Sequence, residues 1–239
     1  MSAPGLHIRA SARIGETQVL APLDLRVAGA AWTCLLGASG VGKSTLLRLI
    51  AEVADGVTLD GSITATDAAP LKGRIAMMAQ SDLLMPWLTI TQNVTLGARL
   101  RGTAPDLPRA EALLEQVGLA DHASKRPEAL SGGQRQRAAL ARTLMEDRPV
   151  VLLDEPFSAL DARTRAQVQD LTAEFLRGRT VLMVTHDPAE AARLADHITI
   201  LTEGGHSDWP APSGTAPRAV DDPAMLHTTG ALLARLRAA

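Results

Sequence analysis

The chain has 239 residues, 46% of them hydrophobic and 21% charged, which is ample for a buried core and excludes a disordered or fibrous chain. Its 24 Lys+Arg and 26 Asp+Glu leave a net charge of −2, so no global basic field draws nucleic acid or acidic lipid. With no Tyr and two Phe there are few stacking platforms for single-stranded nucleic acid. The lone Cys34 can form neither an internal disulfide nor a thiolate metal cluster, which suits a reducing compartment.

The N-terminal stretch MSAPGLHIRASARIGETQ lacks the continuous apolar run of a secretory signal, and no apolar run is long enough to span a bilayer. Leu6, Ile8 and Ala10, then Leu23, Leu25 and Val27, alternate with polar residues and predict two half-buried strands. Short apolar runs follow at 32–36, 74–79, 150–153, 180–185 and 198–201. Helical patterns separate most of them, as in a parallel sheet covered on both faces. Helices are expected at about 42–52, 108–117, 132–146, 164–177 and 188–195; Val168, Leu171 and Phe175 share a stripe of the fourth, and Asp187 with Pro188 opens the fifth as N-cap and first helical residue. Between Ser81 and Asp147 the strand signal gives way to helical patterns, so an inserted helical subdomain, 81–147, is expected within a core of 1–80 and 148–205. Past Glu203, GGHSDWPAPSGTAP reads as a loop, and a C-terminal helix follows from Pro223 to about Arg237.

The string GASGVGKST comprises Gly37, Ala38, Ser39, Gly40, Val41, Gly42, Lys43, Ser44 and Thr45, and lies between the apolar run WTCLL and a helical pattern. Its glycines let the backbone turn tightly and aim N–H groups at phosphate, with the helix dipole behind them. In this pattern Lys43 pairs with the β- and γ-phosphates of a nucleoside triphosphate and Ser44 holds Mg2+. Asp154 closes the run VVLLD, where a carboxylate points into the ligand crevice of such sheets and serves the same ion. Glu155 follows directly, suited as a base for water, so the two strings together point to hydrolysis.

A further string, LSGGQRQR, lies ahead of VVLLDEPFSALD. With these three motifs in this order, the chain resembles the nucleotide-binding subunits of ATP-binding cassette (ABC) transporters, from its first strands to about Leu201. The resemblance implies an α/β fold with a P-loop NTPase (RecA-like) parallel core, an N-terminal antiparallel β subdomain and an inserted helical subdomain. Ser131, Gly132, Gly133 and Gln134 lead straight into a helix and form a second anion-facing terminus. The resemblance implies a head-to-tail dimer in which this signature closes over ATP on the phosphate loop of another copy. By position, Gln80 matches the Q-loop glutamine that reaches Mg2+ or the attacking water, His186 the switch histidine at the γ-phosphate, and Asp161 the D-loop aspartate at the dimer interface. Where the family places an adenine-stacking aromatic, this chain has Ile14, which offers apolar contact only, with His7 or a neighbour as an alternative.

The segment LLMPWLTITQNV, Leu83 to Val94, reads as a loop whose bulky apolar residues grip a short helix of a separate permease. It also resembles the ATPases of nitrate, sulfonate, taurine and thiamine-precursor importers. The implied protein is a peripheral ATPase on the cytoplasmic face of the inner membrane, partnered by permease subunits and, indirectly, by an extracytoplasmic substrate-binding protein. A soluble ABC ATPase of DNA repair, translation or iron–sulfur assembly is the competing reading. The stretch from Gln80 to Ser131 is too short, and too poor in heptads, for the long coiled coil of repair members. Translation members usually carry two cassettes, and a small-molecule kinase has no use for LSGGQ.

Overall fold

The structure is a computed structural model that describes residues 2–237. Along the chain its elements are β1 (Leu6–Ile14), β2 (Thr17–Val27), β3 (Trp32–Gly37), α1 (Lys43–Ile50), β4 (Thr58–Ala65), β5 (Ile75–Met78), α2 (Ile90–Val94), α3 (Leu96–Leu100), α4 (Leu107–Gln116), α5 (Gly132–Met145), β6 (Val150–Asp154), α6 (Ala162–Phe175), β7 (Thr180–Val184), α7 (Pro188–Leu194), β8 (His197–Thr202), β9 (Gly205–Trp209) and α8 (Pro223–Arg237). Two compact units result: Met1–Met77 with Arg148–Glu155 and Leu176–Ala239, and Met78–Asp147 with Pro156–Phe175.

The first unit carries two sheets. In the smaller, ordered β2-β1-β4, β1 pairs antiparallel with both neighbours. Leu6, Ile8, Ala10 and Ala12 of β1 face the same core as Leu23, Leu25 and Val27 of β2, so period-2 patterning produces one wet and one dry face. The register slips between Ala10 and Ala12, opposite Pro22, and Leu20 returns to the dry face after the slip.

The larger sheet has the order β5-β6-β7-β3-β8-β9. Pairings β3–β7, β3–β8 and β6–β7 are parallel. Every residue of β3, β6 and β7 is buried, which is why these strands read as continuous apolar runs. Leu35, Val150, Leu152, Leu182 and Val184 pack with α1's Leu46, Leu47 and Ile50 in one cluster with the dry face of the small sheet.

Two strands depart from the sequence reading. β9 occupies the start of the stretch expected to be a loop, pairing antiparallel with β8 from Ile198↔Trp209 to Thr202↔Gly205. Its residues GHSDW carry no apolar alternation because it is an edge strand held by the ladder and by the Thr199 hydroxyl donating to Asp208 at 3.0 Å. β4 is equally silent: of its residues only Ala65 is buried, and its pairing with β1 rests on backbone.

In the second unit α2 and α4 pack on α5, which buries Ala138, Ala139, Leu140, Ala141 and Leu144. Residues 156–175 group with these helices rather than with the core expected to hold them. The Gln136 side chain on α5 accepts from Ala159 N at 2.9 Å and donates to Ser158 Oγ at 3.2 Å, fastening that stretch. On α6 Val168 is buried, whereas Leu171 and Phe175 are half-buried.

Candidate functional site: a phosphate loop and a second helix terminus

The loop from Gly37 to Gly42 hands the chain from β3 to α1. Gly42 has φ 98°, and a Cβ there would lie 2.3 Å from the Val19 carbonyl oxygen, so both conformation and space demand glycine. No side chain caps α1; its first N–H groups are left for a ligand, and with the dipole they make an anion site. Lys43 is only 8% exposed, and its ammonium donates to the Gly37 and Ala38 carbonyls at 2.8 Å each. The side chain thus closes the loop on itself and aims its charge at the loop's interior. Burial lowers its pKa, against the pull of Glu155 and Asp154.

Asp154 is buried at the end of β6 and accepts from the Ser44 hydroxyl at 3.1 Å. Burial raises its carboxyl above the ordinary range, and the Ser44 bond works the other way. Glu155 has φ 49° and donates its N–H to the Val184 carbonyl at 2.9 Å, so a left-handed turn at a non-glycine residue aims the side chain. Its Oε1 lies 3.1 Å from Nδ1 of His186. Five of the expected site residues, Lys43, Ser44, Asp154, Glu155 and His186, therefore belong to one unit and lie at the ends of three neighbouring strands or their following turns.

His186 is held by neighbours that the sequence reading passed over. The buried Thr185 hydroxyl donates to Glu190 Oε2 at 2.6 Å and accepts from Asp187 N at 3.1 Å. Asp187 caps α7 through Ala189 N at 2.8 Å, as expected. The available signal was Glu190, an acidic residue in the first turn of a short helix whose remaining buried residues are Ala191, Ala192, Arg193 and Leu194.

In the second unit α5 starts at Ser131 with a full capping box. Ser131 Oγ accepts from Gln134 N at 3.3 Å and Gln134 Oε1 accepts from Ser131 N at 2.8 Å. A Cβ on Gly133 would lie 2.9 Å from the Ala159 carbonyl oxygen, a close approach that requires glycine. Asp161 accepts from Thr164 N at 3.0 Å at the start of α6, and hydrogen bonding to that turn lowers its pKa. Gln80 also belongs to this unit, two residues beyond β5.

The family described as ABC transporter matches residues 20–158, most of the span from β2 through the phosphate loop and signature to Glu155. The chain belongs to the ABC transporter family. It is an ATP-binding subunit with the ATPase activity of that family. An aliphatic sulfonates import ATP-binding protein, SsuB, from Delftia acidovorans is 42% identical over 92% of this chain and 88% of its own length. A second SsuB, from Agrobacterium fabrum, is 46% identical over 79% and 72%. An ABC transporter ATP-binding protein of Haemophilus influenzae is 47% identical over 82% and 83%. Among solved structures, the dimeric bacterial ABC cassette MJ0796 aligns with TM-score 0.74 at 28% identity, covering 90% of this chain and 99% of that one. The same cassette bound to ADP and Pi aligns with TM-score 0.73.

Two further expectations for this ABC subunit meet the structure differently. Ile14 is 51% exposed at the turn end of the β1–β2 hairpin. That is the end on which the phosphate loop rests, since Gly42 abuts Val19 and Leu20. His7 sits at the opposite end of β1, about 23 Å away at 3.3 Å per residue, where its Nε2 contacts Asp24 at 2.7 Å. His7 thus lies at the end of the hairpin away from the phosphate loop. His7 instead borders a cavity of about 780 Å³ with Arg26 and Trp209 that contains none of the expected site residues.

The segment from Leu83 to Val94 divides. Leu84 and Leu88 are buried and Ile90–Val94 is helix α2, so these residues are not the exposed grip the sequence implied. Leu83 and Trp87 remain outside, 57% and 66% exposed. The turn that presents them is stapled by charged and amide side chains. Arg142 donates to the Leu83 and Asp82 carbonyls at 2.7 Å each, and Arg135 Nε pairs with Asp82 at 3.0 Å. Asn93 accepts from Met85 N at 2.7 Å and donates to the Met85, Leu88 and Thr89 carbonyls.

Proposed function

We propose that this subunit powers a membrane importer by closing head to tail with a second copy around ATP, so that the signature turn at Ser131 of one copy covers the phosphate loop of the other. The observation that carries the reading is the pair of helix termini: α1 open at its N-terminus above Lys43, and α5 opening from the glycine-led turn that the family's motif matches. MJ0796, which the chain resembles, is described as a dimer.

The oxygen set of Ser44 and Asp154, 3.1 Å apart, fits Mg2+, which takes hard oxygen ligands and few of them from protein. Among the described residues no cluster of three or more His, Cys, Asp or Glu offers a larger metal cage. When bound, the ion neutralises charge on the phosphate oxygens, and Gln80 has the role the resemblance gives it, at the ion or the attacking water. Glu155 takes a proton from water as the water oxygen bonds to the γ-phosphorus and the bond to the ADP oxygen breaks, releasing ADP and phosphate. His186, 3.1 Å from Glu155, orients that carboxylate and faces the γ-phosphate. Lys43 and the amides of both termini, those of Gly132 and Gly133 among them, bear the negative charge beside the Ser131 and Gln134 side chains, Asp161 contributes at the interface, and Ile14 offers the adenine an apolar face. Glu155→Gln is expected to keep ATP binding, to accumulate as a dimer with ATP and to lose turnover by about 10²–10⁴-fold. Undiminished hydrolysis would remove Glu155 from this role.

No helix among the described residues is long and apolar enough to cross a membrane, so the stroke passes to separate permease subunits, at the cytoplasmic face of the inner membrane. Trp87 and Leu83, exposed on a turn that four side chains hold rigid, supply the contact. Trp87→Ala is expected to leave the ATPase of the isolated subunit intact and to weaken capture of the permease by about thirtyfold or more, as loss of an interfacial Trp commonly does. Capture at full strength would exclude this turn. The transported class is a small anion delivered by an external binding protein, with aliphatic sulfonates as the first to test, since relatives are named for their import.

A further inference from the structure

We infer that His122 is a positioning residue for the signature turn, its Nε2 holding the Gln134 amide in the orientation that closes the capping box with Ser131. The inference rests on the reading that this turn covers ATP held by a second copy.

Gln134 uses both ends of its amide. Oε1 accepts from Ser131 N at 2.8 Å, and Nε2 lies 3.0 Å from His122 Nε2. An amide nitrogen carries only hydrogens in this role, so the histidine nitrogen facing it must present its lone pair. The ring proton then resides on Nδ1, a tautomer assigned from the network. Nδ1 is buried and has no hydrogen-bond partner among the described residues.

The acceptor decides the orientation of the amide. With it in place, turning Gln134 by 180° sets its NH2 against the Ser131 N–H and keeps the His122 contact only if the ring proton moves from Nδ1 to Nε2. Without it, only the Ser131 bond distinguishes the two orientations. That bond is the shorter half of the box, since the reciprocal Gln134 N to Ser131 Oγ bond is 3.3 Å. The box holds Ser131 at φ −66° and ψ 164°, the extended setting from which Gly132 and Gly133 enter α5.

His122 is itself held in place. It ends the 3₁₀ turn Ala120–His122, which follows α4, and Arg137, one turn beyond the box on α5, donates to the Val117 and Gly118 carbonyls at 2.6 and 3.3 Å. The segment 117–122 is therefore docked on the first turns of α5 at two points, Arg137 from below and His122 at the box.

The test uses the full chain with Glu155→Gln, in which ATP-driven dimers accumulate, and reads the ATP concentration at half-dimerisation by sedimentation. His122→Leu removes the acceptor at similar bulk and is expected to raise that concentration roughly tenfold, the scale of one loosened helix cap. His122→Gln returns an oxygen acceptor at the reach of Nε2 and is expected to recover most of the loss, which a merely space-filling role does not predict. ATP binding to dilute monomer reads the phosphate loop alone and is the reference: the dimerisation shift is expected to exceed any shift there. Dimerisation of His122→Leu at the original ATP concentration, or a His122→Gln variant as impaired as His122→Leu, would overturn the inference. Ser131→Arg separates the two levels: it abolishes dimerisation if the composite site is real, and if it does not, that reading fails and this inference with it.

Discussion

The helices α1 and α5 both begin at glycine-containing turns, yet their N-termini are finished in opposite ways. At α1 the turn residue is Gly42 in a left-handed conformation, no side chain caps the helix, and Lys43 folds back on the loop's own carbonyls. At α5 the turn residue is Ser131, and a reciprocal box with Gln134 satisfies donors on both sides of the turn. The first terminus leaves its N–H groups without a capping side chain, an arrangement that suits an anion. The second has two of its donors satisfied within the turn, at Ser131 and Gln134, which suits a surface that must stay ordered while its partner is away.

That contrast can be broken at the open site first, where the largest effect is expected. Asp154→Asn removes the charge opposite Ser44 and is expected to lower ATP hydrolysis at least about a hundredfold. The same change should stabilise the ligand-free protein. Because burial raises the Asp154 carboxyl, the folded protein binds that proton more tightly than the unfolded chain does. The associated stability is present below the ordinary carboxylate range and is lost as pH rises through the folded value. Thermal midpoints of Asp154→Asn and the native chain should therefore coincide in acid, separate in favour of the variant as pH rises past that range, and hold a constant gap above it. A native chain that is the more stable of the two at neutral pH would contradict an open site maintained at a cost.

A smaller effect sharpens the other half. Ser131→Ala removes the side-chain acceptor at the start of α5 and should cost about 1 kcal/mol, near 2–4 °C in thermal midpoint for a chain of this size. Ser44→Ala, one residue into the uncapped helix, should move the midpoint by less and abolish the Mg2+ dependence of nucleotide binding. Equal thermal losses at the two serines would erase the distinction between a capped and an open terminus.

How far the sequence foretells this arrangement depends on which atoms do the work. Side chains that bury or alternate are visible: the fully buried, mostly apolar β3, β6 and β7, the dry face of β1 and β2, and the cap at Asp187 are as expected, as are the helices from α4 onward. What backbone carries is not visible. β4 and β9 are edge strands whose residues stay largely exposed, so nothing in TLDGSITA or GHSDW announces a strand. Pairs distant in sequence are hidden for the same reason. Arg142 to Asp82 and Leu83 turns an apparent apolar loop into a rigid turn with Leu84 and Leu88 inside and Trp87 outside. The motif residues themselves were legible as types in a spacing, but the left-handed backbone at Glu155, the Thr185–Glu190 bond behind His186 and the His122 contact to Gln134 all depend on the folded register.

The account turns on one contact between copies. Cys34 is fully buried and is the sole native cysteine, so introduced thiols report without competition. Chains carrying Ser39→Cys and chains carrying Ser131→Cys, both with Glu155→Gln, are mixed and oxidised with and without ATP. A disulfide joining the two kinds of chain, formed with ATP and absent without it, is the predicted result. A mixed dimer that forms equally without nucleotide, or none under either condition, would contradict a shared ATP site built from two halves.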